Sequence, residues 1–144
     1  MRKEIIRTKM KEIEESIRLV EENLPDTFEK FSDLGLIKDG IYKRIEFAIE
    51  NVLDICAIIN TDLELGIPHD DKDVIENLVK KKILSEEMRE KLKAMKEFKN
   101  IVVHRYGRID DRIAFEILKE NLPDFYAFIR KTEEFLDVYQ GKKK

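Results

Sequence analysis

Lys99, Asn100, His104 and Tyr106 fall within eight consecutive residues, in the stretch KNIVVHRYGRIDD. They bring together a cation, an amide, an imidazole that titrates near neutrality and a phenol. Chemistry on a phosphodiester uses this set: a cation for the phosphate, a proton-transfer group and polar donors that hold the scissile group. Asn100 and His104 lie one helical turn apart, on the edge of the same face. At about 100° per residue the helical seam runs Met88, Leu92, Met95, Lys99, Val102, Tyr106, which sets Lys99 inside an apolar stripe. A cation there is costly unless it snorkels, pairs with a carboxylate or meets an anion. The plainer alternative has Lys99 snorkelling at a helix end and His104 capping the last turn. Four functional side-chain types in so short a span weigh against it.

Helices must carry these residues, because the apolar period is helical along the whole chain. Ile6, Met10, Ile13, Ile17, Val20 and Leu24 step by threes and fours and predict a first helix that ends at Leu24-Pro25-Asp26. The segment TFEKFSDLGLI is a connection with room for a short helix. Ile41, Ile45, Ala48, Val52, Ile55 and Ile59 repeat the pattern, with Phe47, Ile49, Leu53, Cys56 and Ile58 on the flanks. A helix apolar over most of its circumference belongs in the middle of a bundle or at a subunit interface. Asp73 with Glu76 reads as a capping box for a short helix to Lys80, and Ser85 caps the helix that enters the motif. Gly107 is a plausible stop and Asp110 a cap for a helix to about Glu120. Asn121-Leu122-Pro123 then starts a last helix with Phe125, Phe128, Thr132, Phe135 and Tyr139 on one face. The fold class expected is all-α, a four-helix up-and-down bundle with additional short helices, forming one domain over residues 1–144. Residues 141–144 make a basic, solvated tail.

Composition narrows the function classes. The 28 basic and 31 acidic residues nearly cancel, to a formal charge of −3, which argues against a broad nucleic-acid-binding surface and leaves room for a small RNA-contacting site. No DNA partner is expected. Cys56 is the single cysteine, so there is neither a disulfide framework nor a thiolate metal cluster, and it reads as core packing in a reducing cytoplasm. His69, Asp70, Asp71 and Asp73 crowd one loop and helix start, where turn and capping roles outweigh metal binding. No apolar run approaches a membrane span or the core of a signal peptide. A cytoplasmic chain without a membrane partner is therefore expected.

The stretch KNIVVHRYGRID resembles the signature of HEPN-domain proteins, specifically the HepT-like toxins. Their pattern is an arginine, a polar residue that is often Asn, a few apolar residues, His, any residue, Tyr. RIEFAIENVLDICAIINTDLELGIP resembles the family's second helix and following loop. LVKKKILSEEMREKLKAMKEFKN resembles its approach to the motif, and ILKENLPDFYAFIRKTEEFL its closing helix, so the likeness covers Ile41 to Leu136. The resemblance implies a metal-independent endoribonuclease that needs no cofactor. It works as a homodimer, with two copies of the motif forming one composite cleft. His104 would act in general acid–base transfer on the RNA 2′-hydroxyl, leaving a 2′,3′-cyclic phosphate. Lys99 would bind the scissile phosphate and Asn100 would position it. The implied partner is a small MNT-type nucleotidyltransferase antitoxin that silences the toxin by transferring AMP to Tyr106.

Lys99 stands where the family has arginine. It keeps the charge and loses the planar fork that grips a phosphate through two hydrogen bonds. Arg105 or Arg108 is a candidate to supply a guanidinium instead. Asp54, on a stripe with Arg44, Phe47, Asn51 and Ile58, matches the family's helix-two acid and is a candidate to hold Lys99 or orient His104; an intra-bundle salt bridge fits it equally well. The alternative function is a catalytically degenerate HEPN dimer that binds a nucleotide or its partner, and a plainer one is an interaction domain whose motif is structural.

Overall fold

The computed structural model describes residues 1–104 and 109–139, His104 by its backbone alone. Six helices follow one another: α1 (Lys3–Asn23), α2 (Phe28–Ser32), α3 (Leu36–Asp62), α4 (Asp71–Lys80), α5 (Glu86–His104) and α6 (Asp111–Val138). Among the described residues there is no strand. Four long helices and two short ones give the all-α bundle that the periodicity predicts. The expected stop at Gly107, together with Arg105, Tyr106, Arg108 and the 141–144 tail, lies outside the described residues.

Cross-links at the helix ends set the up-and-down order. Arg2, just before α1, meets Asp62 at the end of α3 at 2.8 Å. The Lys3 ammonium donates to the carbonyls of Leu136 and Tyr139 at the end of α6, where unpaired carbonyls favour a cation. Tyr126 donates to Glu21 near the other end of α1. Helix α1 is thus antiparallel to both α3 and α6, and α5 packs between those two on the opposite side. The starts of α3 and α6 share one end of the bundle, the end at which α5 delivers His104.

The core is the predicted seam made solid. Ile6, Met10, Ile13, Ile17 and Val20 of α1 are buried against Ile41, Ile45, Ala48, Val52, Ile55 and Ile59 of α3. Asn60, buried at the end of α3, donates to the Gly66 carbonyl and accepts from Asn77, which ties the α3–α4 loop down. Gly35 precedes α3 at φ 63°, a backbone conformation that glycine adopts without steric cost.

Two local expectations need correction. The N-cap of α4 is Asp70, whose carboxylate accepts from the Asp73 amide, while Asp73 accepts in turn from the amide of His69. The box therefore starts three residues earlier than Asp73. The second correction concerns Pro123, which lies inside one continuous α6 and does not open a new helix. A proline there removes one backbone hydrogen bond and crowds the preceding turn. Phe115, Leu118, Leu122, Phe125, Phe128, Thr132 and Leu136 nevertheless form one buried stripe across it. Breaking the helix would expose part of that stripe, so packing prevails over the local preference.

Candidate functional site

Helix α5 starts as predicted, with the Ser85 hydroxyl accepting from the Met88 amide at 3.0 Å. Its buried line is Met88, Leu92, Met95, Phe98 and Val102. Phe98, only 5% exposed, takes the slot the helical projection gives to Lys99. Lys99 sits half-buried beside it. Intermediate exposure spares the ammonium the full desolvation cost that a buried cation would carry. No carboxylate among the described residues pairs with Lys99.

Asn100 is exposed and lines a groove between α4 and α5 with Lys72, Lys93, Lys96 and Glu97. Glu76 on the same groove is held 3.0 Å from Arg89. A second groove lies under the last turn of α5, between Val102 and Val103 on one side and Asp39, Tyr42, Lys43 and Glu46 of α3 on the other, with Ile109 closing it. The two grooves flank the helix end that carries His104.

At the same end, Asp111 accepts from two donors of α3. Its Oδ1 takes the Tyr42 hydroxyl at 2.5 Å and its Oδ2 the Lys38 ammonium at 2.7 Å. Burial works against the charge on Asp111, but the Lys38 and Tyr42 hydrogen bonds outweigh it and hold the carboxyl below its ordinary range. Burial, then the bond to Asp111, pushes the Tyr42 phenol well above its usual value, so it stays a donor. Asp110 separately caps α6, accepting from the amides of Arg112 and Ile113. Sequence reasoning anticipated the Asp110 cap and missed Lys38, Tyr42 and Asp111. The i, i+4 spacing of Lys38 and Tyr42 shows a shared face, and nothing in it points 69 residues ahead.

The supporting residues proposed on α3 lie elsewhere. Asp54 pairs with Lys9 of α1 at 3.3 Å, and Arg44 reaches the Ser16 hydroxyl of α1 at 3.4 Å. Their stripe, which includes buried Asn51, faces α1, whereas α5 packs on the Tyr42, Ile45, Glu46 and Ile49 side. Asp54 therefore forms the intra-bundle salt bridge and does not hold Lys99. Asp70 and Asp73 are helix caps, and among the described residues no cluster of three or more His, Cys, Asp or Glu could hold a metal. Cys56 is buried and its thiol pushed up to about 12 by that burial, which leaves it an unreactive core group. No helix among the described residues is long and apolar enough to cross a membrane.

Comparison with known proteins places this geometry. The chain is 26% identical over 139 residues to the mRNA nuclease HepT of Shewanella oneidensis, covering 96% of this chain and 98% of that one. Its fold matches the solved structure of a tri-AMPylated Shewanella oneidensis HEPN toxin in complex with an MNT antitoxin, with a TM-score of 0.81 and 25% identity over 90% of this chain and 97% of the other. It also shares its fold with the cytosolic protein YutE of Bacillus subtilis, at a TM-score of 0.82 and 15% identity, over 100% of this chain and 96% of that one. Residues 13–132 match the family model described as ribonuclease HepT-like. The chain belongs to the HepT-like ribonuclease family.

Proposed function

We propose that this protein is the ribonuclease toxin of a toxin–antitoxin pair, cutting RNA without metal at a cleft formed by two copies of the chain. The observation that carries the proposal is the α5 end. A cation without a carboxylate partner among the described residues and an exposed amide are neighbours on one turn of α5, and the histidine follows on the next. In the proposed reaction His104 accepts the proton of the RNA 2′-hydroxyl as that oxygen attacks the adjacent phosphorus. The bond to the 5′-oxygen breaks, the His104 imidazolium returns its proton to that departing oxygen, and a 2′,3′-cyclic phosphate remains. Lys99 offsets the charge that develops on the phosphate, and Asn100 positions the group by hydrogen bonding.

A homodimer is supported by apolar side chains left in solvent. Leu36 and Ile37 at the start of α3 are 86% and 49% exposed, and Ile113 near the start of α6 is 51% exposed. They lie on the two helix starts that Lys38 and Asp111 join, next to the candidate site. They are three of seven large apolar residues exposed among the described ones, Ile5, Ile67 and Val138 lying at the opposite end, and a pair of copies meeting at the site end would cover these three. A nucleotidyltransferase antitoxin that modifies Tyr106 is supported by the relative solved with an MNT antitoxin in AMPylated form.

Lys99 itself favours a second reading, a dimer that binds nucleotide or partner without cutting, because lysine lacks the bidentate fork of arginine. Purified protein in excess chelator, given an RNA and the same RNA with 2′-deoxy sugars, decides. Cleavage of the first alone, with cyclic-phosphate ends, is the expected result. Activity that appears only in Lys99→Arg would assign the native chain to the binding class.

A further inference from the structure

We propose that Lys38, Tyr42 and Asp111 act together as a positioning cluster for the candidate site, fixing where α6 begins against α3 and so the end of the bundle on which α5 presents His104. The inference rests on the nuclease reading above.

Three features set this cluster apart from an ordinary surface ion pair. Each oxygen of Asp111 has its own donor, at 2.5 Å from Tyr42 and 2.7 Å from Lys38, so the carboxylate is fixed in orientation as well as in place. The Tyr42 ring cannot easily follow a displaced partner. It is 6% exposed and packs edge-on against Phe31, with ring centres 6.0 Å apart, and Phe31 in turn meets Phe115 at 5.3 Å, one turn after Asp111. The third feature is that α6 does not need Asp111 in order to start, because Asp110 already caps the first amides. What remains for Asp111 is location. It lies seven residues after His104, and Tyr42 also lines the groove formed with Val102 and Val103 on the last turns of α5. One residue thus serves both: the Tyr42 hydroxyl holds the anchor and the residue lines the groove beside α5. Displacements on the order of 1 Å at a catalytic constellation cost up to about a hundredfold in rate, so an anchor that shares Tyr42 with the groove along the last turns of α5 is placed to act on that geometry.

The test is steady-state RNA cleavage by wild type, Tyr42→Phe, Asp111→Asn and the double variant, with a thermal melt of each. Assays run well below every unfolding midpoint. Each single variant should lose roughly tenfold in kcat with KM held within about twofold. The double variant should be no slower than the slower single one, because both changes disable the same three-residue cluster. Lys38→Arg should keep activity that Lys38→Met loses, and this pair decides the matter if the Tyr42 or Asp111 variants do not fold. Unchanged kcat in the folded variants, losses that simply add, or equal rates for Lys38→Arg and Lys38→Met overturn the cluster. Wild type that cleaves no RNA refutes the nuclease reading and this inference with it, whereas wild-type cleavage that the variants match refutes the inference alone.

Discussion

The α1–α3 interface and the shared start of α3 and α6 are built from opposite materials. Between α1 and α3 the contacts are almost wholly aliphatic, Ile6, Ile13 and Ile17 against Ile45, Val52 and Ile55, with charged pairs such as Lys9–Asp54 at the rim. At the other location a half-buried carboxylate and ammonium meet a buried phenol, next to the groove lined by Val102 and Val103. Apolar packing is non-directional and tolerates small shifts, while a carboxylate with two donors defines one position. Stability is concentrated in the first region and geometry in the second.

That contrast can be broken by mutation. Ile17→Ala, at a fully buried position, should cost about 2–5 kcal/mol of folding free energy and leave the rate per folded molecule unchanged. A denaturant titration paired with a cleavage assay checks both halves. Should the rate per folded molecule fall as well, the two regions are coupled. Asp111→Ala should cost about 1.5–3 kcal/mol near neutrality, with cleavage lost in addition. Its pH dependence has a definite sign. The Asp111 carboxyl is depressed in the folded state, so its contribution is present above the unfolded carboxylate value of about 3.9 and disappears as pH falls through the folded value. The gap between wild-type and Asp111→Ala stabilities should therefore close on acidification below about pH 4, and a constant gap would show that the charge is not what stabilises. Asp54→Asn, at an exposed pair on the α1 side, should change stability by under about 1 kcal/mol and cleavage not at all. A large loss of activity there would return Asp54 to the site.

Helices and most caps were legible because their signals are local. The apolar steps of α1 and α3, Ser85 and Asp110 needed only neighbours along the chain. Where several aspartates competed at the start of α4, the choice among Asp70, Asp71 and Asp73 depended on loop geometry that periodicity does not carry. Lys99 and Phe98 are consecutive residues about 100° apart on the helix, both within reach of the apolar arc of Met95 and Val102, and the neighbours supplied by α3 and α6 decide which is buried. Pro123 shows the same limit from the other side, since its helix survives through contacts with the rest of the core. Asp54 and Arg44 were placed on one stripe correctly, but a stripe does not say which helix it faces. The motif composition was visible at once. The Asp111 anchor, made with residues 69 and 73 positions away, was not.

The most direct test compares RNA cleavage by wild type and His104→Ala in excess chelator, with a melt confirming that both are folded. The nuclease assignment predicts cleavage by wild type and a loss on the order of 10²–10⁴-fold in the variant, at little cost in stability. Equal cleavage by the two proteins, or none by wild type at high concentration, would contradict it.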